Sequence, residues 1–492
     1  MKKLHLPFTT GVVATVWLLS LATMPVAATE ARLAVDFGHV TKAGVNARAA
    51  GLNICWLLDS DLRRQQPTAM TQALAEMQVG ILRFPYGHLA DNYLWHTPPF
   101  ADTQGGLRPR VASMSEAPGK WTWAVKPDGS MPSAMDFDEY IALCEKLGAM
   151  PLVCVNVLSF KYPGGPTYQE LKTSAVAWVK YAKRRNYRVA CWQIGNEVEH
   201  KENGRLLPMD EYVSLYEDFA RAMKVVDPAA KISPGILASP AYYNAIAQRC
   251  PHLVDFASVH QYVWAWQKAC PDYVGWRDCT DTFVSNVERA AKVLTEAGLP
   301  HVKLLVTETG VSGGAGLGQV NNTYKALWCF EVLMNELAHP SVAYSFYWGT
   351  HTPWDYRGDG EEPDKDVAVA LRLRTNARTP TGEIIRLING DLLDEFVVME
   401  RVQGRLRCYA MRSHDGRQRT LFLVNKDGQP ADVAIRLGPV ANWKVTQTRE
   451  FVGLSPDDVT PVVRECTPPT FREGALHSTL PSLSVTVVRL QE

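Results

Sequence analysis

An α/β architecture, a (β/α)8 TIM barrel followed by a C-terminal all-β sandwich domain, is predicted by this sequence on three observations. Between residues 46 and 382, short apolar runs suited to buried strands alternate with amphipathic helical segments. Two of those runs, Cys191-Trp192-Gln193-Ile194-Gly195-Asn196-Glu197 and Leu304-Leu305-Val306-Thr307-Glu308-Thr309-Gly310, each end in a carboxylate beside a glycine. Glu197 and Glu308 lie 111 residues apart (308 − 197). That is three units of about 37, each the length of a strand, a helix and their loops, so the pair fits strands four and seven of one barrel. Beyond about Glu383 the grammar changes to short alternating strands separated by turns such as Lys426-Asp427-Gly428, as in a sandwich over 383–492.

The chain opens with Lys2 and Lys3, an apolar segment from Gly11 to Met24 and small residues at Val26-Ala27-Ala28. This is the pattern of an export signal over residues 1–28, cut after Ala28. The apolar run is shorter than the roughly 20 residues of a spanning helix, so the expectation is a secreted or periplasmic protein with no membrane span. Within 29–45, Arg32 to Val40 alternates apolar and polar residues (Leu33, Val35, Phe37), a half-buried strand expected to join the sandwich.

The barrel strands are expected at Leu52–Leu58, Gly80–Pro85, Pro151–Val157, Val189–Glu197, Lys231–Leu237, Val254–Tyr262, His301–Glu308 and Val342–Trp348. Helices are expected at Thr68–Gln78, Phe137–Leu147, Leu171–Arg185, Glu211–Val226, Asp281–Ala297 and Tyr324–Glu336, the fourth stopped by Asp227-Pro228. In the sandwich, Leu406–Arg412, Thr420–Asn425, Val433–Leu437 and Leu483–Leu490 read as strands.

Lys+Arg and Asp+Glu both number 51, and a neutral chain without a basic block gives no electrostatic case for nucleic acid as a partner. There are 14 Trp, several in expected loops: Trp95, Trp121, Trp123, Trp264, Trp266, Trp276 and Trp354. Flat aromatic faces with a polar edge suit sugar rings, although any single Trp also serves as core filling. Of the 10 Cys, Cys270 and Cys279 share a loop and are the first choice for a disulfide, with Cys250 as competitor; Cys408 and Cys466 form a second candidate pair. No CxxC pair or HExxH motif occurs, so neither a zinc site nor any other metal or cofactor is expected. The acidic run Asp355, Asp359, Glu361, Glu362, Asp364 and Asp366 reads as a solvated loop or a calcium loop. Oligomeric state is not legible.

In α/β barrels the working residues sit at the C-terminal ends of strands. Those ends offer Arg83, Asn156, Asn196, Glu197, His260, Tyr262, Glu308 and Trp348, with Trp264 in the loop after strand six. Two carboxylates, a cation, an amide, a phenol and an aromatic platform suit cleavage of a glycosidic bond with retention. Arg83 and Tyr262 would hold Glu308 ionised as the nucleophile. Glu197 would be the general acid, kept protonated by desolvation and by repulsion from Glu308. Asn196 is placed for the sugar 2-hydroxyl. His88 and His200 read as loop histidines, and His260 as either a site residue or a structural one.

Gly195-Asn196-Glu197, Thr307-Glu308, Arg83, His260-Gln261-Tyr262 and Trp348 together resemble glycoside hydrolase clan A. Leu82-Arg83-Phe84-Pro85 with Ala90-Asp91-Asn92-Tyr93-Leu94-Trp95, and the added sandwich, resemble most the family-51 α-L-arabinofuranosidases. The resemblance implies Glu197 as acid/base, Glu308 as nucleophile and a carbohydrate substrate. The chain departs from that family at Tyr86-Gly87-His88, where Gly-Gly-Asn is usual, in lacking a matching strand-one Glu, and at Ser312 in place of a pocket Trp. Three readings therefore stay open. One is an arabinofuranosidase-like hydrolase. Another is an endo-acting clan A glycanase with an open cleft lined by Trp121, Trp123, Trp264 and Trp266, and the last is a catalytically silent carbohydrate-binding barrel.

Overall fold

Eight parallel strands form the barrel: Ala50–Asn53, Ile81–Phe84, Met150–Val155, Cys191–Ile194, Ile232–Pro234, Phe256–Trp264, Lys303–Ser312 and Val342–Tyr347. The computed structural model describes residues 30–116, 123–200, 206–264, 270, 272–312, 321–352, 369–399, 404–438 and 443–492, without the side chains of Trp264 and Ser312. The expected signal segment, Trp121, Trp266, Trp354 and the acidic run lie outside the described residues. Among those described, no helix is long and apolar enough to cross a membrane.

Hydrogen-bonded ladders run in the order five, four, three, two, one, eight, seven, six. Between strands five and six the ladder is interrupted. Ile232 O accepts from Asp255 N–H at 3.0 Å, so alternation aims the backbone nitrogen of residue 234 at strand six as well. That residue is Pro234, which has no N–H to give. The gap is bridged instead by Ser258 Oγ donating to Pro234 O and by His260 N–H donating to Leu237 O at 2.7 Å. Strands one, two, four and five are buried at every position, as expected of parallel strands covered on both faces.

The helices start and stop where local chemistry instructs. Phe137–Leu147 matches its expected span: the Asp136 side chain accepts from Glu139 N–H, and Gly148 ends the helix at φ 58°. Tyr168–Arg184 begins one turn earlier than expected because Thr167 and Glu170 form a reciprocal capping box. Met209–Val226, Ser285–Glu296 and Thr323–Ala338 lie within a few residues of expectation, and Met70–Glu76 is shorter. Helix Pro240–Arg249 was not foreseen. Its buried side is Tyr242, Tyr243, Ile246 and Ala247, a stripe with one branched aliphatic residue, although Pro240 at its first turn is a start signal.

The boundary expected at residue 383 falls inside a helix, Pro380–Asp391, and is corrected accordingly. Ile384, Ile385, Leu387 and Ile388 are buried in the barrel core. Asn389 accepts from Ala50 N–H at 3.1 Å and donates to Ala50 O at 2.9 Å, gripping strand one. This segment therefore packs as a barrel helix, and the β domain starts at the strand Glu395–Met399.

The β domain is a ten-stranded curled sheet. Ala31–Lys42 lies within it and belongs to both halves. Its first residues run parallel to Ala431–Arg436; from Val35 onward it runs antiparallel to Glu395–Met399, with register shifts on either side of Val40. Leu33, Val35, Val397, Leu421, Ile435 and Val488 fill the interior. Ion pairs bind the two domains. Asp391, fully buried, receives Arg449 and Arg489 (2.5 Å). Buried Glu331 receives Arg407 at 2.9 Å and Lys426 at 3.2 Å, and also accepts from the Trp276 indole at 2.7 Å. Removing one partner would strand a buried charge, which is far more costly than an exposed pair is stabilising. Cys408 and Cys466 are free thiols. Cys408 is buried in the sandwich interior while Cys466 sits beside Glu450. The Cys270 thiol is pushed up to about 12 by burial and by the neighbouring Cys279 thiol.

Glu336 ties strands seven and eight together from behind the site. Fully buried, it accepts from Thr309 Oγ1 at 2.7 Å and from Ser345 Oγ, and burial pushes its carboxyl up to about 8. A carboxyl whose folded-state value lies above the unfolded one stabilises the fold in its protonated form. Its contribution is whole below about pH 4.5 and is lost progressively as pH rises toward 8. Glu336→Gln is expected to remove that slope and to be the more stable protein at pH 8, by on the order of 3 kcal/mol. Urea unfolding of both proteins at pH 5 and pH 8 checks this; parallel losses in the two proteins would refute it.

Candidate active site

Strand register brings the chemistry together. Glu308 on strand seven pairs directly with His260 on strand six, and an irregularity between Val306 and Glu308 turns the carboxylate at that point. Arg83 at the end of strand two is wholly buried and its guanidinium fork is filled. It donates to Asn53 (2.7 Å), Gln193 (3.2 Å), Asn196 (2.6 Å) and Glu308 Oε1 (3.0 Å). The Tyr262 hydroxyl donates to the other oxygen of Glu308 at 2.7 Å. Both Glu308 oxygens are thus met by a donor, and the residue is 7 % exposed.

Glu197 approaches from the opposite side. Strand four ends at Ile194, and the chain then turns sharply through Gly195 (φ 84°) to Glu197 (φ 45°). A Cβ at Gly195 would meet Val198 at 2.7 Å and Val157 at 2.8 Å, so only glycine fits this turn. Glu197 Oε1 lies 2.7 Å from His260 Nδ1, which is also 3.6 Å from Glu308 Oε2. One oxygen from each carboxylate and a nitrogen of His260 all lie within 4.8 Å of one another. Such a trio has the geometry to ligate a cation. However, both Glu308 oxygens already accept from Arg83 and Tyr262, and a full cationic guanidinium beside the trio opposes a second positive charge.

The electrostatics correct one expectation. Burial alone would raise the Glu197 carboxyl, but the hydrogen bond from His260 and the charges of His260, His200 and His88 outweigh it, holding Glu197 below the usual carboxylate range. Burial likewise opposes charge on His260, yet Glu308 and Glu197 together raise it. The two shifts run in opposite directions, favouring charge on both partners, whereas desolvation and repulsion alone implied a raised Glu197. Sequence reasoning left His260 undecided and omitted it from the proton balance. His88 and His200, read as loop histidines, also face Glu197; His200 Nδ1 is 3.8 Å from Oε2.

Of the other expected residues, Asn196 presents its oxygen to Arg83. Trp348, half-buried, packs edge-on against Tyr86 at 5.6 Å, and with Tyr262 it flanks Gly310. Asn156 is corrected to a structural residue. Its amide donates to Asp91 O and Tyr93 O while its oxygen accepts from Leu158, Ser159 N–H and Ser159 Oγ, so it ties the end of strand three to the loop after strand two. Trp264 ends strand six; its side chain lies outside the described residues. Trp123 is half-buried beneath Arg64.

Three features were missed. Asn53 and Gln193 hold Arg83, and the only sequence signal was a polar residue at each strand end. Asp59 and His351, both buried, form a pair at 2.7 Å beside Tyr86, whose hydroxyl donates to His351 O. Gly87 lies against the nucleophile candidate: a Cβ there would sit 1.7 Å from Glu308 Oε1 and 3.2 Å from Arg83 Nη1. Gly87→Ala is accordingly expected to push the Glu308 carboxylate off Arg83 and cost about 10²-fold or more in activity while the chain stays folded. Kinetics alongside circular dichroism would test it, and an Ala variant of full activity would contradict this packing.

No family model matches the chain. Among curated proteins it is similar to an intracellular exo-α-(1→5)-L-arabinofuranosidase of Acetivibrio thermocellus, 24 % identical over 234 residues, covering 44 % of this chain and 42 % of that protein. It is also similar to a probable α-L-arabinofuranosidase C of Aspergillus fumigatus, 26 % identical over 220 residues, 39 % of each chain. The matched span is thus about two fifths of these relatives' length. Among solved structures, an α-L-arabinofuranosidase from Thermotoga maritima in an arabinose complex superposes with a TM-score of 0.68 at 18 % identity, covering 94 % of this chain and 99 % of that one. A Paenibacillus polymyxa xyloglucanase from glycoside hydrolase family 44 superposes at 0.64 and 12 % identity, with 94 % and 99 % coverage. Barrel plus β domain is therefore the fold shared with these chains, and the resemblance to glycoside hydrolase clan A, on the family-51 side, holds.

Proposed function

We propose that the chain is an exported glycoside hydrolase of arabinofuranosidase type that cleaves with retention of configuration. The observation that carries this reading is the facing pair Glu197 and Glu308, with carboxylate oxygens within 4.8 Å, close to the roughly 5 Å of retaining enzymes and short of the 6.5–9.5 Å that leaves room for water in inverting ones. Glu308, positioned by Arg83 and Tyr262, attacks the anomeric carbon. The leaving oxygen receives a proton through Glu197 and its partner His260, 2.7 Å away. Once Glu308 is esterified its negative charge is gone, and with it much of what keeps His260 charged. Glu197 then takes a proton from the incoming water as that water cleaves the ester. Export is read from the residues up to Ala28.

A second reading, an endo-acting glycanase on another polysaccharide, is favoured by one feature. Tyr86, buried and at φ 81°, fills the corner beside Trp348 and lies against Gly349, where the related family usually has glycine. Hydrolysis of an aryl α-L-arabinofuranoside, with the first-formed anomer followed by NMR, tests the primary reading. A retained anomer is the expected result, and an inverted one overturns it. Rapid loss of viscosity in a polysaccharide panel without arabinofuranoside cleavage would select the second reading. Binding of glycans with no product from any of them would mean a silent barrel.

A further inference from the structure

We propose that the β domain holds a second binding site, for a neutral sugar or similar polyol, in a cleft at the open end of its curled sheet. The cleft has a volume of about 690 Å³; Glu450, Cys466 and Thr486 line it with Thr470, His477 and Thr479, and no barrel residue contributes. It lies where the chain crosses, through Thr467-Pro468-Pro469, from one terminal strand of the sheet (Val462–Glu465) to the other (Thr470–Arg472).

The inward positions here break the rule of a sandwich interior. Glu450 pairs across the ladder with Thr486, and Thr448 with Val488. Directly opposed residues share a face, as do residues two apart, so all four point the same way. Val488 lies in the apolar interior. Beyond it the same face turns polar, with Thr486 at 2 %, Thr448 at 4 % and Glu450 at 5 % exposure. Buried polar groups normally find partners. Among the described residues Glu450 has Arg464 at 2.7 Å, but Thr486 Oγ1 and Thr448 Oγ1 have no partner, nor does His477 Nε2, whose other nitrogen is engaged by Glu30 at 2.6 Å.

The cleft's own lining defines the ligand. His477 turns Nε2 inward while its Nδ1 meets the Glu30 carboxylate. Thr486 adds a hydroxyl, and Glu450 and Glu465 add two carboxylates against the single cation Arg464. A lining rich in acceptors and net negative rejects phosphate or uronate and suits groups that donate O–H, while Pro468 and Pro469 give a small apolar wall for C–H faces. A neutral sugar meets all of these conditions. The ligand class follows from the cleft alone and does not depend on what the barrel catalyses.

Isothermal titration of the full chain with neutral tri- to pentasaccharides of arabinose, xylose and glucose tests it, comparing wild type with Thr486→Val and with the double variant Thr486→Val, His477→Leu. The expected result is one site more in wild type than in the double variant, at least about tenfold weaker binding there, and unchanged hydrolysis of an aryl glycoside. Should the barrel bind none of these sugars, wild type would still show the single cleft site and the variants would lose it, so failure of the functional reading is distinguishable. Should the double variant fold poorly, Thr486→Val, nearly isosteric, carries the comparison. Equal stoichiometry and affinity in wild type and the folded variants, or binding of inorganic phosphate in preference to sugar, overturns the proposal.

Discussion

Glu308→Ala is expected to lower turnover by about 10⁴-fold or more, because it removes the atom that forms the covalent intermediate and no other step compensates. The Ala variant opens space on the face Glu308 occupied, so azide should restore cleavage of an activated aryl glycoside and give a glycosyl azide of inverted anomeric configuration. Arg83 would remain fully buried with Asn53, Gln193 and Asn196 still accepting from it. The lost counter-charge will therefore lower stability as well, and Glu308→Gln serves as the isosteric control. Activity in either variant comparable to wild type would remove Glu308 from the chemistry.

Glu197→Ala should separate the two half-reactions. For substrates whose leaving group needs a proton, the loss is expected to be about 10²–10⁴-fold. A dinitrophenyl glycoside, whose leaving group needs none, should still form the glycosyl-enzyme and then accumulate it, visible as a burst in pre-steady-state kinetics. The variant should also change the pH response. With Glu197 lowered and His260 raised, the pair stabilises the fold between those two values; the benefit is lost as pH falls through the Glu197 value or rises through that of His260. Removing Glu197 withdraws His260's nearest anion, so the histidine should titrate at lower pH, measurable from its ring proton shifts. An equal loss on both substrate types would argue that Glu197 does not donate the proton.

The barrel was legible because buried parallel strands must be continuous apolar runs, and the eight runs are there to count. Arg83, Glu197, His260, Tyr262 and Glu308 were legible because a charged or polar residue ending such a run is expensive unless it has partners. Boundaries were less so. The helix Pro380–Asp391 was assigned to the second domain because the change of pattern near Glu383 is visible locally, whereas its grip on Ala50 through Asn389 is a contact across the whole barrel. Asn156 was misread for the same reason. A strand-end amide is the same in sequence whether it faces substrate or, as here, a neighbouring loop.

The order of strands, the existence of two facing acids and the presence of a cation and a phenol to serve them were determined by residue type and spacing, since burial and periodicity act along the chain. The electrostatics of the acid and its histidine were decided only in three dimensions. The lowering of Glu197 and the raising of His260 depend on a hydrogen bond of 2.7 Å and on a second carboxylate 3.6 Å away, and Coulomb energies of that kind change steeply over distances that no linear pattern encodes.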